Sequence, residues 1–260
     1  MQTESIPPSR PLEPTPAAIV IGASSGTGAA LVRRLAAQGY AVAAVARREE
    51  ELERLRDEIC RSLPQAHVLV VPHDVRDYEA VPALFEEITR KLGGLDLVIY
   101  SAAVQPPVNV HEYNFEKDQS MIETNILGAI AWLNQAAMRF ERARRGQIVG
   151  ISSIAGDRGR VGSPVYNTSK AALDTYLEAL RNRLSRYGVT VTTIKLGFVD
   201  TELLKNAAKT FWVISPEEAA ARILAAARQR KQVVYTPRRW QLVSLVVRTI
   251  PSPIFRYLNF

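Results

Sequence analysis

Residues 17–39 read AAIVIGASSGTGAALVRRLAAQG. Ala17 to Ile21 is a short continuous apolar run, the pattern of a buried strand. Gly22, Gly26 and Gly28 follow, with Ser24, Ser25 and Thr27 among them. The next segment spaces its apolar residues as a helix does and stops at Gly39. Strand, glycine-rich turn and helix in that order turn backbone N–H groups and a helix N-terminus toward a phosphate. The spacing is G-x-x-x-G-x-G rather than G-x-G-x-x-G, and alone it also fits an ordinary tight βα turn. The surrounding chain has to decide between the two.

Downstream, Tyr40 to Ala46 is a second apolar run, and Arg47 and Arg48 stand at its tip. A cofactor with a free ribose diol is met there by Asp or Glu, about 20 residues past the glycines. Two guanidiniums suit a 2′-phosphate instead, and so NADP(H). Their plainer reading is that they open the charged helix REEELERLRDEI. Further strands are expected at 67–71, 95–100, 147–151, 190–195 and 233–235. Asp74-Val75 follows the third strand and Ser101-Ala102-Ala103-Val104 the fourth. Helices are expected at 78–92, across Thr124, Asn125 and Trp132 to about 145, at 163–187 and at 216–230. Ser215 with Glu218 three residues later makes a capping box for the last. This alternation predicts an α/β fold with a doubly wound parallel sheet.

A second stretch, SIAGDRGRVGSPVYNTSK from Ser153 to Lys170, carries complementary chemistry. Tyr166 and Lys170 are four apart and share a helix face. Ser153 ends the apolar run Ile148 to Ile151. A strand tip and a helix face thereby bring together a hydroxyl, a phenol and an ammonium. A free phenol has a pKa of ~10 and is a poor base at neutral pH. A neighbouring ammonium that lowered it by ~3 units would supply about 4 kcal/mol. Tyr166 would then exchange a proton with a substrate oxygen. Alone, Tyr-x-x-x-Lys is a common helix-surface spacing.

Composition excludes other classes. One cysteine, Cys60, rules out an internal disulfide framework and fits a reducing, cytoplasmic setting. His67, His73 and His111 have no metal-ligand spacing. The net charge is +7, yet the segment from Arg222 onward holds eight Lys/Arg and no acid, leaving the first 221 residues at −1. The body is therefore not a general nucleic-acid binder. No apolar run is long enough to span a bilayer. Residues 1–16 hold five prolines and no apolar core of a signal peptide, and are expected to be a disordered leader.

Taken together, Gly22-x-x-x-Gly26-x-Gly28, Asp74-Val75, Asn125, Ser153, Tyr166-x-x-x-Lys170 and Gly197-x-Val199-x-Thr201 resemble the short-chain dehydrogenase/reductase superfamily over residues 17–236. The resemblance implies a seven-stranded Rossmann fold, helices on both faces, NAD(P) at the C-terminal sheet edge, and a homodimer or homotetramer. It implies Tyr166 as acid/base, Ser153 orienting the substrate oxygen, and Lys170 lowering the Tyr166 pKa while binding the nicotinamide ribose. Asn125 would hold a water in a proton relay to Lys170. Asp74 would meet the adenine, Thr201 the nicotinamide side, with Val75, Ala102, Gly197 and Val199 beside the cofactor. Three positions depart from the family pattern. Ile21 stands for a Thr, Ser101-Ala102-Ala103-Val104 for Asn-Asn-Ala-Gly, and Leu196 for a Pro.

The function expected is an NADP(H)-dependent interconversion of a carbonyl and an alcohol, on an apolar substrate suggested by Leu203, Leu204, Phe211, Trp212, Val213 and Ile214. The rivals are a nucleotide-binding redox sensor or scaffold without turnover, and an epimerase or dehydratase on the same fold. Residues 237–260 form a separate amphipathic extension. In RRWQLVSLVVRTI, Arg238, Gln241, Ser244 and Arg248 share a narrow polar stripe and Pro251 ends the helix. Its wide apolar face suits an anionic membrane surface, and suits equally packing on the domain, capping the pocket or joining subunits.

Overall fold

Runs without polar alternation form the centre of one sheet because both sheet faces are covered. The computed structural model describes residues 15–206 and 210–258; the expected leader lies outside these as far as residue 14. The strands are Ala17–Ile21 (β1), Ala41–Ala46 (β2), Val68–Pro72 (β3), Leu97–Tyr100 (β4), Gly146–Ser153 (β5), Val189–Leu196 (β6) and Val233–Thr236 (β7). All pair in parallel, in the order β3-β2-β1-β4-β5-β6-β7. The helices are Gly26–Ala37 (α1), Glu49–Ser62 (α2), Val81–Leu92 (α3), Phe115–Ile122 (α4), Gly128–Ala143 (α5), Pro164–Leu184 (α6), Pro216–Arg228 (α7), Trp240–Thr249 (α8) and Ser252–Phe255 (α9).

Leu31, Leu52 and Ile223 place α1, α2 and α7 on one face of the sheet. Phe85, Trp132 and Leu177 place α3, α5 and α6 on the other. The seven-stranded doubly wound sheet is thus the one expected. The strand order reverses between β1 and β4, which opens a crevice at the C-terminal strand ends. Every candidate site residue follows one of those ends or lies on a helix beside them.

The helix expected through Asn125 is interrupted. Glu123–Leu127 is a π-helical turn between α4 and α5, in which the Gly128 N–H reaches back to the Glu123 carbonyl. The shift leaves the Thr124 carbonyl to accept a 2.5 Å hydrogen bond from the buried Tyr100 hydroxyl. Gly128 makes room for this, since a Cβ there would lie 2.7 Å from that hydroxyl.

The C-terminal extension packs on the body. Trp240 is buried against Phe198, Phe211 and Trp212, with ring centroids 5.6, 5.1 and 5.4 Å away. Arg158 donates to the Val247 and Ile250 carbonyls and stacks 3.8 Å from the Phe255 ring centre. The polar stripe read from the sequence is corrected at Ser244, which turns inward and hydrogen-bonds the Tyr235 hydroxyl at 2.9 Å. The Trp240 anchor sets the rotation of α8, and Tyr235 at the end of β7 gives the buried serine a partner.

A Cβ on residue 197 would fall 1.9 Å from Trp240 Nε1. Gly197→Ala should therefore lever α8 away, destabilising the protein by about 1–3 kcal/mol. Urea melts and tryptic cleavage at Arg238 and Arg239 measure this; an unchanged midpoint with unchanged cleavage contradicts it.

Candidate active site

The turn after β1 is shaped by close backbone approach. Gly22 has φ +90, and a Cβ on it would lie 2.4 Å from the Ala102 nitrogen. A Cβ on Gly28 would lie 2.0 Å from the Gly22 carbonyl oxygen. Gly26, at φ +51, is approached by the Thr201 methyl. Only glycines let this loop lie flat between α1, the end of β4 and the segment after β6. A cleft of about 550 Å³ opens over it, lined by Ser25, Gly26, Asp200, Thr201, Glu202 and Leu204. A second hollow of about 490 Å³, between Met138 and Tyr187, lies where β5 begins, away from Ser153.

Arginines gather at the tips of β2 and β3. The Arg48 guanidinium donates to the Ser24 hydroxyl at 2.9 Å and to the Ser25 hydroxyl at 2.7 Å. Arg47 stands 3.9 Å from the Asp74 carboxylate. Arg76, which the sequence reading passed over, grips both Asp74 oxygens at 3.1 and 2.7 Å. That grip, foremost, holds the Asp74 carboxyl below its usual range. The glycine loop and the open cleft fit a nicotinamide dinucleotide.

At the ends of β5 and β6, the Ser153 hydroxyl donates to the Leu196 carbonyl at 3.3 Å and accepts from the Ala155 N–H at 3.1 Å. It lies beside the Tyr166 phenol, whose pKa it lowers. The serine, tyrosine and lysine therefore converge as expected. Burial pushes the half-buried Tyr166 up to about 12, while Ser153 and the Arg160 guanidinium pull it down. The Lys170 Nζ donates to the Ile151 carbonyl at 3.1 Å and lies 5.7 Å from the tyrosine ring centre. Arg160 is held by Asn167, whose amide donates to the Arg160 carbonyl at 3.3 Å and to the Gly162 carbonyl at 3.0 Å. Neither residue carried a sequence signal beyond a cation and an amide near Tyr166.

The Asn125 side chain, for which a water relay is expected, is engaged by the loop after β4 and by α6. Its Oδ1 accepts from the Val104 N–H at 2.8 Å, and its Nδ2 donates to the Val104 carbonyl at 3.1 Å and to Ser169 Oγ at 3.0 Å. Both amide protons are committed. The asparagine braces the loop after β4, where Ser101–Val104 lacks amides of its own. It thereby ties that loop to α6, one residue before Lys170.

Burial brings Lys170 down to about 8, with Asp174 opposing. An unfolded lysine titrates near 10.4. Between these values the unfolded chain binds the extra proton, so stability rises with pH, by about 3 kcal/mol at about 1.4 kcal/mol per pKa unit. Below about pH 8 both states carry the proton and the dependence levels off. Lys170→Met should flatten this rise in urea melts between pH 7.5 and pH 10. An identical slope in parent and variant contradicts the assignment.

The family model described as short chain dehydrogenase matches residues 16–211. An uncharacterized oxidoreductase of Myxococcus xanthus is 35% identical over 244 residues, covering 92% of this chain and 94% of that protein. One of Staphylococcus aureus is 33% identical over 217 residues, covering 83% of this chain and 92% of that protein. The crystal structure of levodione reductase superposes with a TM-score of 0.78 at 21% identity, covering 85% of this chain and 95% of that one. A Serratia marcescens short-chain dehydrogenase/reductase mutant gives 0.74 at 24% identity, covering 86% and 98%.

Proposed function

This chain belongs to the short-chain dehydrogenase family, and on that premise we propose that it is an NADP(H)-dependent oxidoreductase interconverting an apolar carbonyl compound and its alcohol. One observation carries the reading. Ser153 at the end of β5 lies beside Tyr166, with Lys170 one turn along α6, at the sheet edge that also holds the glycine loop. A nicotinamide cofactor held there would supply or take the hydride. Gly22, Gly26, Gly28, Ser24, Ser25, Arg47 and Arg48 would hold the phosphate half, and Thr201 the other end.

The protein's own groups handle the proton. Ser153 holds the substrate oxygen, and Tyr166 gives its phenolic proton to that oxygen in reduction and takes it back in oxidation. An NADP(H) preference supports reduction as the working direction. Arg160 stabilises the phenolate left after transfer. The exposed Phe211, Trp212 and Val213 beside Phe198 support an apolar substrate. The setting proposed is cytoplasmic, as a homodimer or homotetramer.

The test is NADPH consumption over aldehydes, ketosteroids, 3-oxoacyl esters and long-chain keto-lipids, with NADH in parallel. Turnover with NADPH supports the reading. Tight NADPH binding without consumption by any class would assign the chain to a sensor or scaffold.

A further inference from the structure

We infer that the outward face of α8 and α9 docks on an anionic lipid surface beside the substrate cleft. The rotation of α8 carries this inference. The helix buries Trp240 and Ser244 yet leaves Leu242, Leu245 and Val246 exposed at 69%, 61% and 59%. Ile254 and Tyr257 continue the outward apolar face. Phe211 and Trp212, against Trp240, and the neighbouring Val213 carry exposed apolar surface toward Phe198 after β6.

Charge selects the partner. Arg238, Arg239, Arg248 and Arg256 are all exposed, and no Asp or Glu follows Glu218. Arg239 rides 4.7 Å over Trp212 and Arg256 4.8 Å over Tyr257. Cations beside amphipathic rings suit the headgroup level of a bilayer. A second copy paired through this face about a twofold axis would set these arginines near their own equivalents, with no carboxylate in the segment to offset them. Anionic headgroups neutralise them instead. Ten residues at 1.5 Å each make α8 about 15 Å long, half a hydrocarbon core. No described helix is long and apolar enough to cross a membrane. The segment therefore lies in the interface plane.

The face is fixed to the catalytic body. Arg158 binds the last carbonyls of α8, and the Ser244–Tyr235 pair continues to Asp157 at 3.3 Å. Asp157 and Arg158 follow Ser153 on one short turn. A bilayer gripping α8 would hold the cleft at its surface, where a lipid-soluble carbonyl could enter. That purpose rests on the carbonyl-reductase reading; the docking itself does not.

The experiment is co-sedimentation of the full chain with phosphatidylcholine vesicles and with vesicles of phosphatidylcholine and phosphatidylserine mixed two to one. Light scattering reports the oligomeric state, and NADPH consumption with a water-soluble carbonyl is followed in parallel. The parent should sediment with the serine-containing vesicles and much less with the others. Arg248→Glu with Arg256→Glu should weaken binding about 25-fold or more, at about fivefold per arginine. Leu242→Glu with Leu245→Glu should leave the protein in the supernatant, with soluble turnover unchanged; Leu245→Gln is the milder second variant. A parent that stays in the supernatant, or binds both vesicles equally, overturns the inference. A change of oligomeric state in the Leu variants would assign the face to a second copy and overturn it too. Sedimentation without any carbonyl turnover would instead sink the enzymatic reading and leave the docking standing.

Discussion

Tyr166→Phe should lower kcat by about 10²–10⁴-fold, the usual contribution of a positioned acid/base, while NADPH binding stays within a few-fold of the parent. The variant removes one oxygen, the one that Ser153 contacts. The ring, which lies beside Lys170 and Arg160, is retained. Protein stability should change little, because Ser153 keeps its bonds to the Leu196 carbonyl and the Ala155 N–H. Single-turnover absorbance with saturating NADPH separates chemistry from binding. A rate within tenfold of the parent would remove Tyr166 from the mechanism.

The second large effect concerns the cofactor. Arg48 already bridges Ser24 and Ser25 in the glycine loop, and Arg47 stands beside Asp74. Charge-assisted hydrogen bonds of this kind contribute about 1.5–3 kcal/mol each. Arg47→Asp combined with Arg48→Asp should cut the NADPH:NADH affinity ratio by roughly 10- to 150-fold per lost contact, and the added carboxylates should turn the preference toward NADH. Fluorescence titration of both nucleotides measures it. Equal affinities in the parent would contradict the 2′-phosphate assignment outright.

Much of the scaffold was legible because buried strands leave uninterrupted apolar runs. Residues 17–21 are found as read, and the runs at 40–46, 95–100 and 147–151 differ from their strands by a few end residues. Convergence of Ser153, Tyr166 and Lys170 followed from a strand tip and an i,i+4 spacing. Geometry that depends on distant partners was not legible. The π turn at Asn125 leaves no mark in hydrophobic periodicity, and it needs Tyr100, from β4, to take up the Thr124 carbonyl. The hydrogen bond from the Lys170 Nζ to the Ile151 carbonyl could not be read from an i,i+4 spacing. Arg76 and Arg160 were silent as loop cations until the fold placed Asp74 and Tyr166 beside them. Ser244 looked solvent-facing because the helix pattern could not show Tyr235 waiting for it.

Hydride transfer is the central claim, and isotope transfer tests it most directly. The protein is incubated with NADPH dideuterated at C4 and a carbonyl substrate that consumes it, and the alcohol is analysed by mass spectrometry and NMR. One deuterium should appear on the carbinol carbon, none on the hydroxyl after exchange in water, with the label absent when Tyr166→Phe replaces the parent over the same interval. NADPH that binds while no carbonyl of any class acquires deuterium at carbon would contradict the account.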